Sequence, residues 1–145
     1  MGRLTLGDER IAVQVDRGTG ALCGLEHRPA GLRLIADPDL AARHPFAVVL
    51  QSGEVLRSFD ECFVERHDDG GGATVRWTLD GALTVTADLR VEAGSLLCRP
   101  ALRNPSGLPV AALAYPYVAG IGGLGAEGGH DELVHPYATG FLVRD

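Results

Sequence analysis

Residues 73–103 read ATVRWTLDGALTVTADLRVEAGSLLCRPALR, and this stretch decides the fold. Between Leu83 and Glu92 it alternates strictly. Leu83, Val85, Ala87, Leu89 and Val91 fall on one side, and Thr84, Thr86, Asp88, Arg90 and Glu92 on the other. A period of two over ten residues is the pattern of a strand with one dry face and one wet face. The runs on either side repeat it, with Val75, Trp77 and Leu79 before and Leu96, Cys98 and Leu102 after.

Facing residues of an antiparallel pair lie on the same side of the sheet, so register follows from matching apolar positions. A two-residue loop at Asp80-Gly81 would set Trp77 against Thr84. A three-residue loop, Asp80-Gly81-Ala82, sets Leu79 against Leu83, Trp77 against Val85 and Val75 against Ala87, and this odd loop or a bulge is expected although Asp-Gly favours a two-residue turn. At the next connection a two-residue loop, Ala93-Gly94, sets Val91 against Leu96 and Leu89 against Cys98, and a three-residue loop with Gly in the left-handed position competes with it. The two-residue loop also sets Asp88 against Arg99, an expected cross-strand ion pair. Pro100 has no N–H to donate, which predicts an edge strand or a bulge there.

Working outward, short strands are expected at Arg3–Leu6, Ile11–Val15, Ala21–Glu26, Leu32–Ala36, Phe46–Gln51 and Cys62–His67, with Val55–Phe59 ambiguous. Asp16-Arg17-Gly18-Thr19-Gly20 is dense in turn formers. Asp37-Pro38 predicts a single helical turn with Asp37 as its cap. The run 108–118 is apolar on both faces and reads as a strand covered on both sides. Residues 120–129 hold six glycines and read as loop, with a last hairpin from Glu132–His135 and Phe141–Arg144. The fold class expected is all-β: an antiparallel β-sandwich of about eleven short strands with little or no helix, occupying residues 1–145 as one domain.

Composition narrows the function. Thirteen basic residues, all arginine, against nineteen acidic ones give a net charge of −6, which argues against nucleic acid as a partner. No apolar run reaches the length that spans a bilayer, so no membrane partner is expected. The first residues, MGRLTLGDERIAV, lack the apolar core of an export signal, giving cytoplasmic as the default location. Cys23, Cys62 and Cys98 are odd in number without metal or redox spacing, and read as small buried hydrophobes.

The candidate chemistry is sparse. Trp77, the one tryptophan, could stack on a sugar ring, but it is in phase with Val75 and Leu79 and reads as core. His130, Asp131, Glu132 and His135 form the densest set of acid–base groups, yet their spacing matches no strong zinc motif and reads as an exposed loop. Asp60-Glu61 and Asp68-Asp69 are adjacent carboxylates, and neighbours on a strand point to opposite faces, so neither pair is set to flank a glycosidic bond. Gly120-Ile121-Gly122-Gly123-Leu124-Gly125 lacks the following helix that a dinucleotide loop needs. No catalytic, cofactor-binding or metal-binding residue is assigned, and no cofactor is expected.

Several segments together resemble the N-terminal β-sandwich, a galactose-mutarotase-like supersandwich, of bacterial glycoside-hydrolase-like proteins. They are Asp16-Arg17-x-Thr19-Gly20-Ala21-Leu22, Ala73 to Leu79, Arg103-Asn104-x-Ser106-Gly107-Leu108-Pro109-Val110, Tyr115-Pro116, Gly120-Ile121, and Leu133-Val134-x-Pro136-Tyr137-x-x-Gly140. The resemblance implies a sandwich that precedes a (β/α)₈ catalytic barrel, which supplies the carboxylates. The chain would then be an accessory domain or fragment of a longer protein, with that barrel and carbohydrate as its partners. A mutarotase proper uses histidines and a glutamate in a cleft, and no motif carries those roles onto His27, His44, His67, His130 or His135. The alternative reading is a small free-standing sugar mutarotase or epimerase-like enzyme using the tail His/Asp/Glu cluster.

Overall fold

The computed structural model describes residues 2–43, 45–80 and 83–119, together with the strand backbones of 132–135 and 141–144. Its elements in order are β1 (Arg3–Gly7), β2 (Ile11–Asp16), β3 (Leu22–His27), β4 (Leu32–Arg33), helix α1 (Pro38–Ala41), β5 (Ala47–Leu50), β6 (Val55–Leu56) and β7 (Glu61–Arg66). They continue with β8 (Gly72–Leu79), β9 (Leu83–Glu92), β10 (Ser95–Arg103), β11 (Val110–Ala114), β12 (Glu132–His135) and β13 (Phe141–Arg144). One 3-10 turn, Arg28–Ala30, follows β3. Eleven antiparallel strands make three sheets, ordered β1-β2-β3-β4, β10-β9-β8-β7 and β11-β5-β6, and β12 pairs with β13. The chain is all-β, with a sandwich-like core.

The register of 73–103 follows the apolar match. Leu79 faces Leu83, Trp77 faces Val85 and Val75 faces Ala87, so three residues close that turn. Asp80 enters it with φ 46°. The next turn has two residues, because Glu92 faces Ser95 and Leu89 faces Cys98. Ala93 and Gly94 both take positive φ, 50° and 79°, the geometry that matches the twist of a two-residue hairpin. Pro100 lies on β10, the edge of its sheet, where its missing N–H costs no ladder bond.

Every inward residue of β9 is buried, and each of Val85, Ala87 and Leu89 is fully so. Leu4 and Leu6 of β1, Val13 and Val15 of β2, and Phe46 and Val48 of the β5 segment pack onto this face to form one core. Trp77 is its largest fully buried side chain, with Phe46 at 5.0 Å and Tyr115 at 5.4 Å between ring centroids. Its indole N–H donates to the Thr19 carbonyl at 2.7 Å, which satisfies the only polar atom the ring carries. The 16–20 turn is therefore tied into the core. Asp16 Oδ1 accepts from the Gly18 and Thr19 amides, and Gly20 ends the turn at φ 70°. A β-carbon on Gly20 would fall 2.4 Å from Val75 and 2.7 Å from Trp77. Only glycine fits that close approach.

A second tether links two turns. Asp8 accepts from the Arg10 and Ile11 amides through one carboxylate oxygen and from the Gly94 amide, at 2.7 Å, through the other. Asp37 caps α1 through the Asp39 and Leu40 amides, with Pro38 in the first turn, as the sequence predicts.

Three expectations need correction. The apolar run 108–118 is not covered on both sides. Only Val110–Ala114 is a strand, Ala111, Ala112 and Ala114 are exposed, and Leu108, Tyr117 and Val118 are more than a third exposed. The run forms an edge strand rich in alanine, which has little area to bury. The Asp88–Arg99 ion pair does not form, although the two residues face each other; Asp88 is held instead by His67 and Arg90. Of the three cysteines, all free, Cys23 is buried while Cys62 and Cys98 are only half-buried.

Candidate functional site

Because the inner face of β7–β10 is committed to the core, the chemistry of this sheet lies on its outer face. Register places the outward residues in rows across the four strands. Glu61, Thr78, Thr84 and Arg103 form one row, Phe63, Arg76, Thr86 and Ala101 the next, and Glu65, Thr74, Asp88 and Arg99 the third. Neighbours within a row stand about 4.8 Å apart and rows about 6.7 Å apart.

The face is a shallow depression of about 670 Å³, lined by the first two rows. Phe63 is 50% exposed, and the Arg76 guanidinium lies 5.1 Å from the centroid of its ring. That cation–π contact holds both side chains close to the sheet surface. Thr78, Thr84 and Thr86 supply hydroxyls able to donate and accept, and Ala101 leaves the floor low between Arg99 and Arg103. The adjoining hollow, about 280 Å³, is lined by Asp88, Arg90, Glu92, Leu97 and Arg99.

At the far end of the face the loop 67–72 folds His67 back over the sheet. The His67 amide donates to the Gly72 carbonyl, and the Gly70 amide to the His67 carbonyl. His67 Nε2 sits 2.9 Å from Thr74 Oγ1 and 3.2 Å from Asp88 Oδ1. Arg90 bridges Asp69 at 3.5 Å and Asp88 at 3.8 Å. A nucleophilic relay needs hydroxyl and carboxylate on opposite ring nitrogens. Here both sit on Nε2, and Nδ1 is buried without a hydrogen-bond partner. The arrangement orders a loop and is not built to move a proton along a chain. Register alone does not reveal it, since His67 lies one residue past the end of β7.

The candidates read from the sequence do not converge. Trp77 is sealed in the core and touches no solvent. Asp60, Glu61, Asp68 and Asp69 are all exposed; Glu61 lies at the rim of the outer-face depression and Asp69 pairs with Arg90. Asp60 joins Glu54 and Asp80 around a separate hollow of about 330 Å³ with a leucine-rich wall, and no histidine lines it. His44, the 120–125 glycine run, His130 and Asp131 lie outside the described residues, as do the side chains of Glu132 and His135 at the two ends of β12. Among the described residues no group of three His, Cys, Asp or Glu side chains comes together to hold a metal ion.

The thiols offer no nucleophile. Burial pushes Cys62 and Cys98 up to about 11 and raises Cys23 as well, so each stays a neutral thiol near pH 7. Burial, with Cys98 and Cys62 adding to it, likewise raises Tyr115 far above the usual phenol range.

No protein family, curated protein or solved structure matches the chain.

Proposed function

We propose that residues 1–145 form a non-catalytic accessory β-sandwich of a carbohydrate-active, glycoside-hydrolase-like protein, of the galactose-mutarotase-like supersandwich type. It works beside a (β/α)₈ catalytic barrel and contacts saccharide through the outer face of β7–β10. The observation that carries the reading is the half-exposed Phe63 under the Arg76 guanidinium on a shallow face of threonine hydroxyls, backed by a closed core. A pyranose ring has one face rich in C–H groups that stacks on an aromatic or guanidinium plane, and equatorial hydroxyls that need donors and acceptors around it. A flat sheet surface offers both along an extended chain. The turn and core segments that carry the family resemblance support the same assignment.

The mutarotase-like alternative needs a histidine and a carboxylate turned into one cleft. The described ion pairs include one histidine, His67, and its pair with Asp88 lies on the open sheet face. The test is twofold. Polarimetry of α-galactose should show interconversion at the spontaneous rate with the chain present, and an oligosaccharide titration should show binding that Phe63→Ala weakens. Accelerated interconversion would restore the enzyme reading.

A further inference from the structure

We propose that the saccharide taken up by the outer face of β7–β10 is acidic, an oligouronide lying along β10, with Arg103 and Arg99 as the residues that read its carboxylates. This inference rests on the accessory-domain reading above. The charges on the face sort by strand: Glu61 and Glu65 stand on β7, Arg76 on β8, Asp88, Arg90 and Glu92 on β9, and Arg99 and Arg103 on β10. Arg90 is neutralised, held between Asp69 and Asp88. Arg76, Arg99 and Arg103 form no ion pair with any described residue; Arg99 has none even though Asp88 stands directly across from it. In a chain of net charge −6, Arg99 and Arg103 make the β10 edge of the face locally positive, while Glu61 and Glu65 lie on β7 at the opposite edge.

Spacing gives the ligand its shape. Arg99 and Arg103 point from the same side of one strand about 13 Å apart, with the small Ala101 between them. An extended chain can run across Ala101 and place carboxylates at both ends. Each guanidinium offers a planar fork that accepts a carboxylate through two parallel hydrogen bonds, which a neutral sugar does not provide. Thr84 and Thr86 on the neighbouring strand are placed for the ring hydroxyls, and the Phe63–Arg76 pair closes the far side of the face.

Calorimetric titration of the full chain with tetragalacturonate, and with the same oligomer fully methyl-esterified, tests this. The acid should bind about tenfold more tightly than the ester. Its affinity should fall with salt, and Arg103→Gln or Arg99→Gln should abolish most of the difference while leaving the thermal midpoint unchanged. Equal binding of acid and ester, lost together in Phe63→Ala, would overturn the acidic-ligand inference and leave the saccharide-contact reading standing. Binding of neither oligomer would remove that reading and the inference with it. A poly-dT oligonucleotide that binds as tightly as the acid would also overturn the inference, because the face would then recognise anionic charge without the sugar.

Discussion

Replacing Trp77 with alanine is the sharpest test of the core. The ring is fully buried, packs 5.0 Å from Phe46 and 5.4 Å from Tyr115, and donates its indole hydrogen to Thr19. Truncating a buried aromatic costs about 3–5 kcal/mol, and the orphaned Thr19 carbonyl adds about 1 kcal/mol, so Trp77→Ala should lose about 4–6 kcal/mol. Trp77→Phe keeps the ring contacts and loses the hydrogen bond and part of the area, and should lose only about 1–2 kcal/mol. Urea unfolding followed by far-UV circular dichroism separates the two, since the only indole is gone from both variants. In the wild type, that indole should resist acrylamide quenching. A loss below about 1.5 kcal/mol in Trp77→Ala, at an unchanged denaturant slope, would refute the core assignment. So would a loss of saccharide binding in Trp77→Phe while that variant stays folded, because a sealed ring cannot touch a ligand.

Gly20→Ala should lose about 2–4 kcal/mol in the same assay, combining a left-handed backbone with a collision against Val75 and Trp77, and a loss under about 1 kcal/mol would count against the described packing. Ala93→Asn should gain about 0.5–1 kcal/mol, since Ala93 carries φ 50° in a two-residue hairpin turn that asparagine tolerates better; a thermal midpoint below wild type would contradict that turn geometry. Asp8 is held below its ordinary value of 3.8 by the Ile11, Gly94 and Arg10 amides. A carboxyl lowered in the fold stabilises above its ordinary value and loses that contribution as pH falls through the folded value. Asp8→Asn should therefore flatten the drop in thermal midpoint below about pH 4, and parallel acid limbs for variant and wild type would remove Asp8 as the tether between the two turns.

The central meander was legible in residues 73–103 because a sheet with one buried face leaves a period-two record, and pairing like with like favours the odd first turn and the two-residue second turn that the register shows. Pro100 announced its own edge position through its missing N–H. The cap of α1 could be read from Asp37-Pro38 because it is made within four residues. Local rules failed where burial depends on partners distant in sequence. The run 108–118 carries no mark of being an edge strand left partly open. Facing positions of Asp88 and Arg99 suggested an ion pair, but a carboxylate joins the hydrogen-bonding group that arrives closest, and the loop after β7 delivers the His67 ring while Arg90 sits two residues along the same strand.

The outer face shows the same division. Its residues all lie in the alternation of β7–β10, and all but Phe63 and Ala101 were visible as polar partners of an inward apolar neighbour. The placing of β7 beside them, with Phe63 against Arg76, and the lack of an ion pair at Arg76, Arg99 and Arg103 among the described residues were not. By itself the sequence determined an all-β chain with Trp77 inside, since alternation is a property of one strand and its neighbours. Only the tertiary structure decided which side chains share a surface and which charges stay unpaired, because those depend on how the strands lie beside one another and on where the loops return.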